Sequence, residues 1–239
     1  MLKFLLGSVI LSLITTVLIG GVLGFVPGVS TLMGASPKNL GQNVTREDSL
    51  AAQSKASVEI IALPSGTTDK DGYIPQGTKN LDTTFSSKEI TALLNNRTWK
   101  NFPAKNVQVK INPDGSLESS GLLIVSRALP FAEGLGYSAE EVKQAMTKYK
   151  LPSVEIPYYI SGFGEVKNND ISLSISSLKI GAIPLPQSMT GPLAEEATAF
   201  LESLINRYQD NFSAESITSQ NGQINFKGRV AEKISVVSE

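Results

Sequence analysis

The side chains that could perform chemistry in this sequence are carboxylates, because its 239 residues include neither cysteine nor histidine. That composition excludes cysteine nucleophiles, disulfides, thiolate metal sites and imidazole bases. Adjacent carboxylates occur at Glu140-Glu141 and at Glu195-Glu196. Both pairs fall in the first turn of a predicted helix, where the helix dipole favours carboxylates and consecutive side chains point about 100° apart. The pairs are therefore better explained as solvated helix starts than as a general acid and base.

Two further motifs could bind a metal or a cofactor, and both fall short of the pattern that such sites need. The turn at 112–114 is too short, and too constrained by Pro113, to form a calcium loop. Gly162-x-Gly164 lacks the third glycine and the following helix of a dinucleotide site. The sequence thus predicts a protein that is not an enzyme and that uses neither a metal nor a cofactor.

The amino-terminal part of the chain is apolar enough to tie the rest to a membrane. No charged residue occurs between Lys3 and Lys38, and Phe4 to Val26 is dominated by Leu, Ile, Val and Gly. As a helix this stretch would be roughly 34 Å long, which is enough to cross a hydrocarbon core of about 30 Å. We expect residues 1–35 to form a cytoplasmic tip and a transmembrane anchor, with the amino terminus in the cytoplasm because Lys3 precedes the span.

A cleaved signal peptide is the alternative interpretation, since Gly34-Ala35-Ser36 offers small residues for a peptidase. Signal peptides usually contain only about 7 to 15 apolar residues, so the longer run favours an uncleaved anchor. The expected location is the cell membrane, crossed once, with the carboxy-terminal domain extracytoplasmic. That exported part holds all 22 acidic and 20 of the 21 basic residues, a net charge of about −2. Nucleic acid is not an expected partner, because its phosphates require a cationic surplus.

Composition divides the exported part into a tether and one folded domain. Residues 36–57 are polar and carry few large apolar groups, which predicts a flexible tether with a short helix within 46–55. Residues 58–239 are numerous enough for one domain with its own core. Within that domain the stretch from Pro64 to Thr84 is polar and interrupted by Gly and Pro, so no element is predicted there.

Helix caps and alternating apolar residues predict both helices and antiparallel strands. A strand is predicted at 58–63, and a hairpin at 107–125 around Pro113-Asp114-Gly115. Capping boxes at Ser86/Glu89 and Ser138/Glu141 predict two short helices, ending near residues 95 and 149.

The segment 154–180 predicts two strands joined by a turn and curved by a bulge. Its apolar residues lie at even positions first, then at odd positions, then at even positions again. The residues concerned are Ile156, Tyr158 and Ile160, then Ile171, Leu173 and Ile175, then Leu178 and Ile180. A half-buried strand changes parity only at a turn or a bulge. Asn168-Asn169-Asp170 supplies the turn, and the second change predicts a bulge at Ser176-Ser177.

The longest helix outside the membrane is predicted between Pro192 and Tyr208, with Pro192 in its first turn. Its apolar residues recur with a period of 3.6. A closing hairpin is predicted at 216–230 around Asn221-Gly222. The predicted fold class is α+β: an N-terminal transmembrane helix, then a curved antiparallel sheet packed against a long amphipathic helix plus two short helices.

Four segments of the exported part resemble small bacterial membrane-anchored proteins of the YpmS-like type. The segments are Phe85-Ser-Ser-Lys-Glu-Ile-Thr-Ala-Leu-Leu-Asn95, the hairpin at 107–121, the strand 171–180 with Gly181-Ala-Ile-Pro-Leu-Pro186, and Asn221-Gly-Gln-Ile-Asn-Phe-Lys-Gly228. The resemblance covers about residues 85–230. Those proteins look like the tubular lipid-binding superfamily, so the resemblance implies a long helix on a strongly curved sheet around an apolar channel. It transfers no signature ligand residue.

A curved sheet with an amphipathic helix can either fill its interior with side chains or leave an apolar groove. We expect a non-catalytic envelope protein whose exported domain binds a lipid or another apolar chain in such a groove. Each buried methylene contributes about 0.8 kcal/mol, so binding needs no polar anchor. The predicted groove residues are Ile156, Tyr158, Ile160, Phe163, Ile171, Leu173, Ile175, Leu193, Phe200, Leu201 and Leu204.

The alternative function is a surface interaction or scaffold protein with a filled core and no ligand. Its edge strands, or a glycine-rich loop predicted at Pro130–Tyr137, would contact an envelope protein or a wall polymer. The expected partners are therefore the lipid bilayer and a lipid ligand or, in the alternative, these envelope components.

Overall fold

The computed structural model describes residues 36–64, 66–96, 98–138, 140 and 155–238. Over these residues the chain forms an α+β domain with a curved antiparallel sheet and four helices, which confirms the predicted class for this part of the chain. The helices are α1 (Arg46–Ala56), α2 (Ser87–Asn95), α3 (Ala128–Gly134) and α4 (Gln187–Arg207). The strands are β1 (Glu59–Ala62), β2 (Tyr73–Gln76), β3 (Lys79–Ser86), β4 (Ala104–Ile111), β5 (Leu117–Ile124), β6 (Glu155–Lys167), β7 (Asp170–Ile180), β8 (Ile183–Pro184), β9 (Ser213–Gln220), β10 (Gln223–Val230) and β11 (Lys233–Val236).

The strands form two sheets. The larger sheet has the order β3-β10-β9-β6-β5-β4, with β7 also paired to β6 and β8 paired to β7, and all of its pairs are antiparallel. In the smaller sheet the central strand β11 runs parallel to β1 and antiparallel to β2. Because β10 leads into β11 after only two residues, the end of the chain connects the two sheets.

The predicted hairpins and the predicted bulge are confirmed. The turns between β6 and β7 and between β9 and β10 use Asn168-Asn169 and Asn221-Gly222, all four with positive φ, a conformation that Asn and Gly tolerate. Ser161 pairs with Ser177 and the next residue, Gly162, pairs with Ile175, which leaves Ser176 as the extra residue. The parity change in the sequence therefore located the bulge within one residue.

Helix α2 seals the outer edge of β4 with polar side chains. The N–H groups of Ile111, Val109 and Val107 donate to Ser87 Oγ (3.0 Å), Thr91 Oγ1 (3.0 Å) and Asn95 Oδ1 (2.8 Å), respectively. The acceptors lie four residues apart on the helix, and the donors lie two residues apart on the strand. These spacings match, because four helical residues rise about 6 Å and two strand residues about 6.7 Å. Strand β3, at the opposite end of the sheet order, leads directly into α2, so the helix bridges the two ends of the curved sheet.

The segment for which we predicted a flexible tether, 36–57, differs from that expectation because it is packed against the domain. Helix α1 begins with a capping box and buries Ala52 and Ala56 completely. Lys55 Nζ lies 2.7 Å from Glu89 Oε1 on α2. The physical reason is that small alanines pack closely against a neighbouring helix, although they give the sequence little apolar character.

Three further segments differ from the sequence prediction. Strand β2 and most of β3 lie in the Pro64–Thr84 stretch, where no element was predicted; polar residues are compatible with these strands because only part of each strand is buried. Helix α3 occupies most of the predicted loop at Pro130–Tyr137 without a side-chain cap to signal it. Helix α4 begins at Gln187, so Pro192 lies inside the helix instead of in its first turn.

Two predicted segments lie outside the described residues. They are the transmembrane anchor at 1–35 and, apart from residues 138 and 140, the second short helix at 138–149. Among the residues that are described, no helix combines the length and the apolar character needed to cross a bilayer.

Candidate ligand-binding site

Strand β6 pairs with two different strands along one of its edges, and those two strands diverge. β5 accompanies β6 as far as Gly162, which lies opposite Leu117, and β9 accompanies it from Val166, which lies opposite Ile217. The other edge of β6 pairs with β7 across the same region. Within the described part of the chain, residues 163–165 therefore have no strand beside them on the first edge. We call this opening the sheet split.

An apolar pocket of about 60 Å³ occupies the sheet split and reaches the core. Side chains from six strands form its wall, so the pocket exists only in the folded sheet. Its aliphatic residues are Val109, Leu117, Ile160, Val166, Ile171, Leu173, Ile175, Ile217 and Ile224. Such a lining offers dispersion contacts and a place that excludes water, and it favours an apolar group.

Phe163 also lines the pocket and remains 48% exposed, which is unusual for a phenylalanine in a folded domain. The neighbouring glycines bring the backbones of β6 and β7 close together. A Cβ at Gly162 would overlap the carbonyl oxygen of Ser174, and a Cβ at Gly164 would lie 2.8 Å from Leu173 Cδ2. The backbone thus fixes the shape of the pocket entrance.

A wider depression of about 620 Å³ lies between β7 and residues 187–202 of α4; we call it the helix groove. It shares Leu173, Ser174 and Ile175 with the pocket, so the two spaces meet at the bulged part of β7. Helix α4 contributes mostly small or polar residues to it, among them Thr190, Gly191, Ala194, Thr198 and Ala199. The groove is open to solvent and adjoins the pocket at the three residues that they share.

A third depression, of about 280 Å³, lies beside Phe163, and we call it the polar basin. Its lining includes Asp114, Glu165, Ser172, Ser174 and Thr218. The turn between β4 and β5 borders it and is fixed to β9, because Ser219 Oγ donates a hydrogen bond to the carbonyl oxygen of Gly115. A polar surface therefore adjoins the apolar pocket directly.

The structure brings five of the eleven predicted groove residues together and places the others elsewhere. Ile160, Phe163, Ile171, Leu173 and Ile175 line the pocket. The remaining residues belong to the packed core or its margin: Ile156, Tyr158, Leu193, Leu201 and Leu204 are buried, and Phe200 is partly buried. The predicted site thus corresponds in part to the β6–β7 hairpin, whereas the predicted leucines of α4 pack into the core.

Five aliphatic lining residues were absent from the predicted set: Val109, Leu117, Val166, Ile217 and Ile224. All five lie in predicted hairpin strands, where alternation indicates side chains that face the interior. Alternation does not indicate that they face one common opening, because that depends on the contact between β6 and β9, which are about 50 residues apart in the sequence.

A charged cluster next to the pocket holds Lys38 against β5 and β6. Lys38 Nζ donates to Glu118 Oε2 at 2.8 Å and lies 4.0 Å from the centre of the Tyr159 ring. The Tyr159 hydroxyl also donates to Glu118, at 2.8 Å, as does Asn112 Nδ2, at 3.3 Å. The hydrogen bond from Lys38, together with those from Tyr159 and Asn112, lowers the pKa of Glu118 to about 2. Nearby, the N–H of Leu40 donates to Gln108 Oε1 at 2.8 Å.

The arrangement places an apolar space next to a polar one. Within the described residues, no group of three or more acidic side chains is placed to hold a metal ion. No family model matches the chain, and no curated protein or solved structure matches it either.

Proposed function

We propose that this chain is a non-catalytic, membrane-anchored envelope protein whose extracytoplasmic domain binds a lipid or another apolar chain. The end of the apolar chain enters the pocket in the sheet split, and the rest follows the helix groove. The uncharged run from Phe4 to Val26 supports the membrane location. The resemblance to YpmS-like and tubular lipid-binding proteins agrees with the same function.

The observation that carries this proposal is an apolar pocket that adjoins an exposed phenylalanine and continues into a groove. The groove volume of about 620 Å³ falls within the range of about 300–1,000 Å³ that is typical of small-molecule sites. The pocket itself, at about 60 Å³, has room for the end of a chain only. Each methylene removed from water there contributes about 0.8 kcal/mol to binding.

Photolabelling of the full-length chain tests the proposal. The protein is reconstituted in phosphatidylcholine vesicles that contain a fatty acid with a diazirine near the end of its chain, irradiated, digested and analysed by mass spectrometry. We expect label in the peptides of the β6–β7 hairpin, 155–180, besides any label in residues 4–26. Label confined to residues 4–26 would contradict the proposal.

A matched pair of variants separates binding at the site from a general loss of packing. Leu173→Trp places a larger side chain between the pocket and the helix groove, and we expect it to lower labelling of the hairpin several-fold. Leu81→Trp makes the same substitution at a partly buried residue of β3 that lines none of the three spaces, and labelling should persist. Equal labelling in both variants would place the lipid elsewhere.

A scaffold function is the second candidate, and the filled interior beside the pocket favours it. The largest fully buried side chains include Phe85, Phe212 and Phe226, and the enclosed apolar space beside them is small. A scaffold would show no labelling of the hairpin and would retain specific contacts with an envelope protein or wall polymer when Leu173 is replaced by Trp.

A further inference from the structure

The three connected spaces have acidic linings without basic residues. Among the described residues, neither lysine nor arginine lines the pocket, the helix groove or the polar basin. The carboxylates that do so are Asp114, Glu118, Glu165, Glu195 and Glu202. A cleft lined by charges of one sign concentrates their field and attracts the opposite sign.

Two of these carboxylates already have partners within the protein. Glu118 forms ion pairs with Lys38 and Lys110, with N···O distances of 2.8 and 3.5 Å. Asp114 accepts hydrogen bonds from the N–H and the hydroxyl of Ser116, at 2.9 and 2.7 Å, which fixes its own turn.

The other three carboxylates, Glu165, Glu195 and Glu202, form no ion pair with any residue that the structure describes. Glu165 and Glu195 are exposed, Glu165 in the polar basin beside Phe163 and Glu195 in the helix groove. The entrance to the apolar pocket therefore carries negative charge that no ion pair with a described residue neutralises.

We infer that the ligand is an amphiphile with a positively charged head group, which lies in the polar basin against Glu165 while its apolar chain enters the pocket. This inference rests on the proposed function, since it names the head group of the ligand at the same site. The exposed ring of Phe163 adds to the preference, because an ammonium group is attracted to an aromatic face. An anionic head group at the same position would be repelled by Glu165.

Three photoactivatable probes with the same alkyl chain test the head group. They carry a trimethylammonium, a hydroxyl or a sulfonate group, and each is added to the full-length chain in phosphatidylcholine nanodiscs. Labelling of residues 155–180 is measured relative to the total labelling of the chain. At low salt we expect the trimethylammonium probe to label this hairpin about fivefold more than the sulfonate probe, with the hydroxyl probe between them. High salt should reduce the difference, because it screens exposed charges.

Charge-neutralising variants assign the preference to the site. Glu165→Gln should reduce the ratio between the trimethylammonium and sulfonate probes, and adding Glu195→Gln should reduce it further. Glu47→Gln removes an exposed carboxylate on α1 that lines none of the three spaces, so its ratio should equal that of the unmodified protein.

The outcomes distinguish this inference from the proposed function. Equal labelling of the hairpin by all three probes, or an unchanged ratio in Glu165→Gln, would overturn the cationic head group and leave the apolar site intact. No labelling of the hairpin by any probe would overturn the proposed function and this inference together.

Discussion

Two regions of this domain are packed in opposite ways. Where β2, α3 and the end of α4 meet, aromatic rings fill the interior: the Trp99 ring centre lies 5.4 Å from that of Tyr73 and 4.8 Å from that of Phe131. Tyr208, directly after α4, adds an edge-on contact with Tyr73 at 5.4 Å. At the sheet split, by contrast, aliphatic side chains surround a space, and Phe163, the one aromatic residue among the described residues that line it, is exposed.

Helix α4 belongs to both regions. Its second half is fixed by Phe200, which stacks on Tyr137 at 5.5 Å, and by Ser203, whose hydroxyl lies 2.7 Å from that of Tyr137. From Gln187 to Glu202 the same helix lines the helix groove, mostly with small and polar residues. The comparison teaches that stability and ligand access lie in different parts of the same fold, so substitutions should affect one with little effect on the other.

The largest expected effect comes from truncating one ring in each region. Trp99→Ala removes a buried ring with two aromatic neighbours and should lower the free energy of unfolding by about 3–5 kcal/mol. Phe163→Ala removes an exposed ring and should change it by no more than about 0.5 kcal/mol. Urea denaturation followed by circular dichroism measures both. Similar losses in the two variants would mean that the sheet split is packed as firmly as the aromatic region.

The next effect concerns the backbone that shapes the pocket. Gly162→Ala would force a methyl group against the carbonyl oxygen of Ser174, and we expect a loss of about 2–3 kcal/mol. Gly191→Ala is the control, because a Cβ there has no neighbour within 4 Å and alanine suits the helix interior better than glycine. It should raise stability by about 0.5–1 kcal/mol. If Gly162→Ala were equally harmless, the strands at the bulge would be free to separate.

A third comparison contrasts two strand edges. Helix α2 covers the edge of β4, whereas β9 pairs with β6 only at Ser216 and Ile217, so its next residues have no partner on β6. Thr91→Val removes a buried hydroxyl that accepts from the N–H of Val109 and donates to its carbonyl oxygen, which should cost about 1–3 kcal/mol. Thr218→Val, at an exposed residue beside the sheet split, should cost no more than about 0.5 kcal/mol. Thermal unfolding of the two variants checks the difference. Equal midpoints would show that α2 does not depend on these side-chain bonds to cover the edge.

The sequence was informative where structure depends on neighbouring residues. Alternation located the hairpins and the bulge at Ser176, because strand parity and turn chemistry are local properties. The sheet split could not be predicted in this way, since it arises where β5 and β9 both meet β6, and these pairings join distant segments.

The same limit explains the partial prediction of the site. Tyr158 shows the alternation of a pocket residue, yet its hydroxyl lies 3.1 Å from Ser119 Oγ inside the core. Alternation identifies a side chain that faces inward, and only the three-dimensional packing decides whether it meets a neighbour or a space. Likewise, nothing in the polar composition of 36–42 indicated that Lys38 would bind Glu118.

The smallest expected effect on stability lies at that contact, which holds Lys38 beside the pocket. Glu118→Gln removes the charge that Lys38 binds, and we expect a loss of about 1–2 kcal/mol at pH 7. The pKa of Glu118 is about 2 in the folded protein against its usual 4.5, so the carboxylate stabilises the fold above pH 4.5 and loses this contribution as the pH falls towards 2.

Denaturation of both proteins across this pH range measures the effect. The difference in unfolding free energy between the unmodified chain and Glu118→Gln should therefore shrink between pH 4.5 and pH 2. Glu215→Gln is the control, since Glu215 forms an exposed ion pair with Lys227, and pairs of that kind contribute about 0–1 kcal/mol. A difference for Glu118→Gln that stays constant with pH would show that its hydrogen bonds matter and its charge does not. Residues 38–42 would then be held at the pocket by packing and by Gln108 instead of by Lys38.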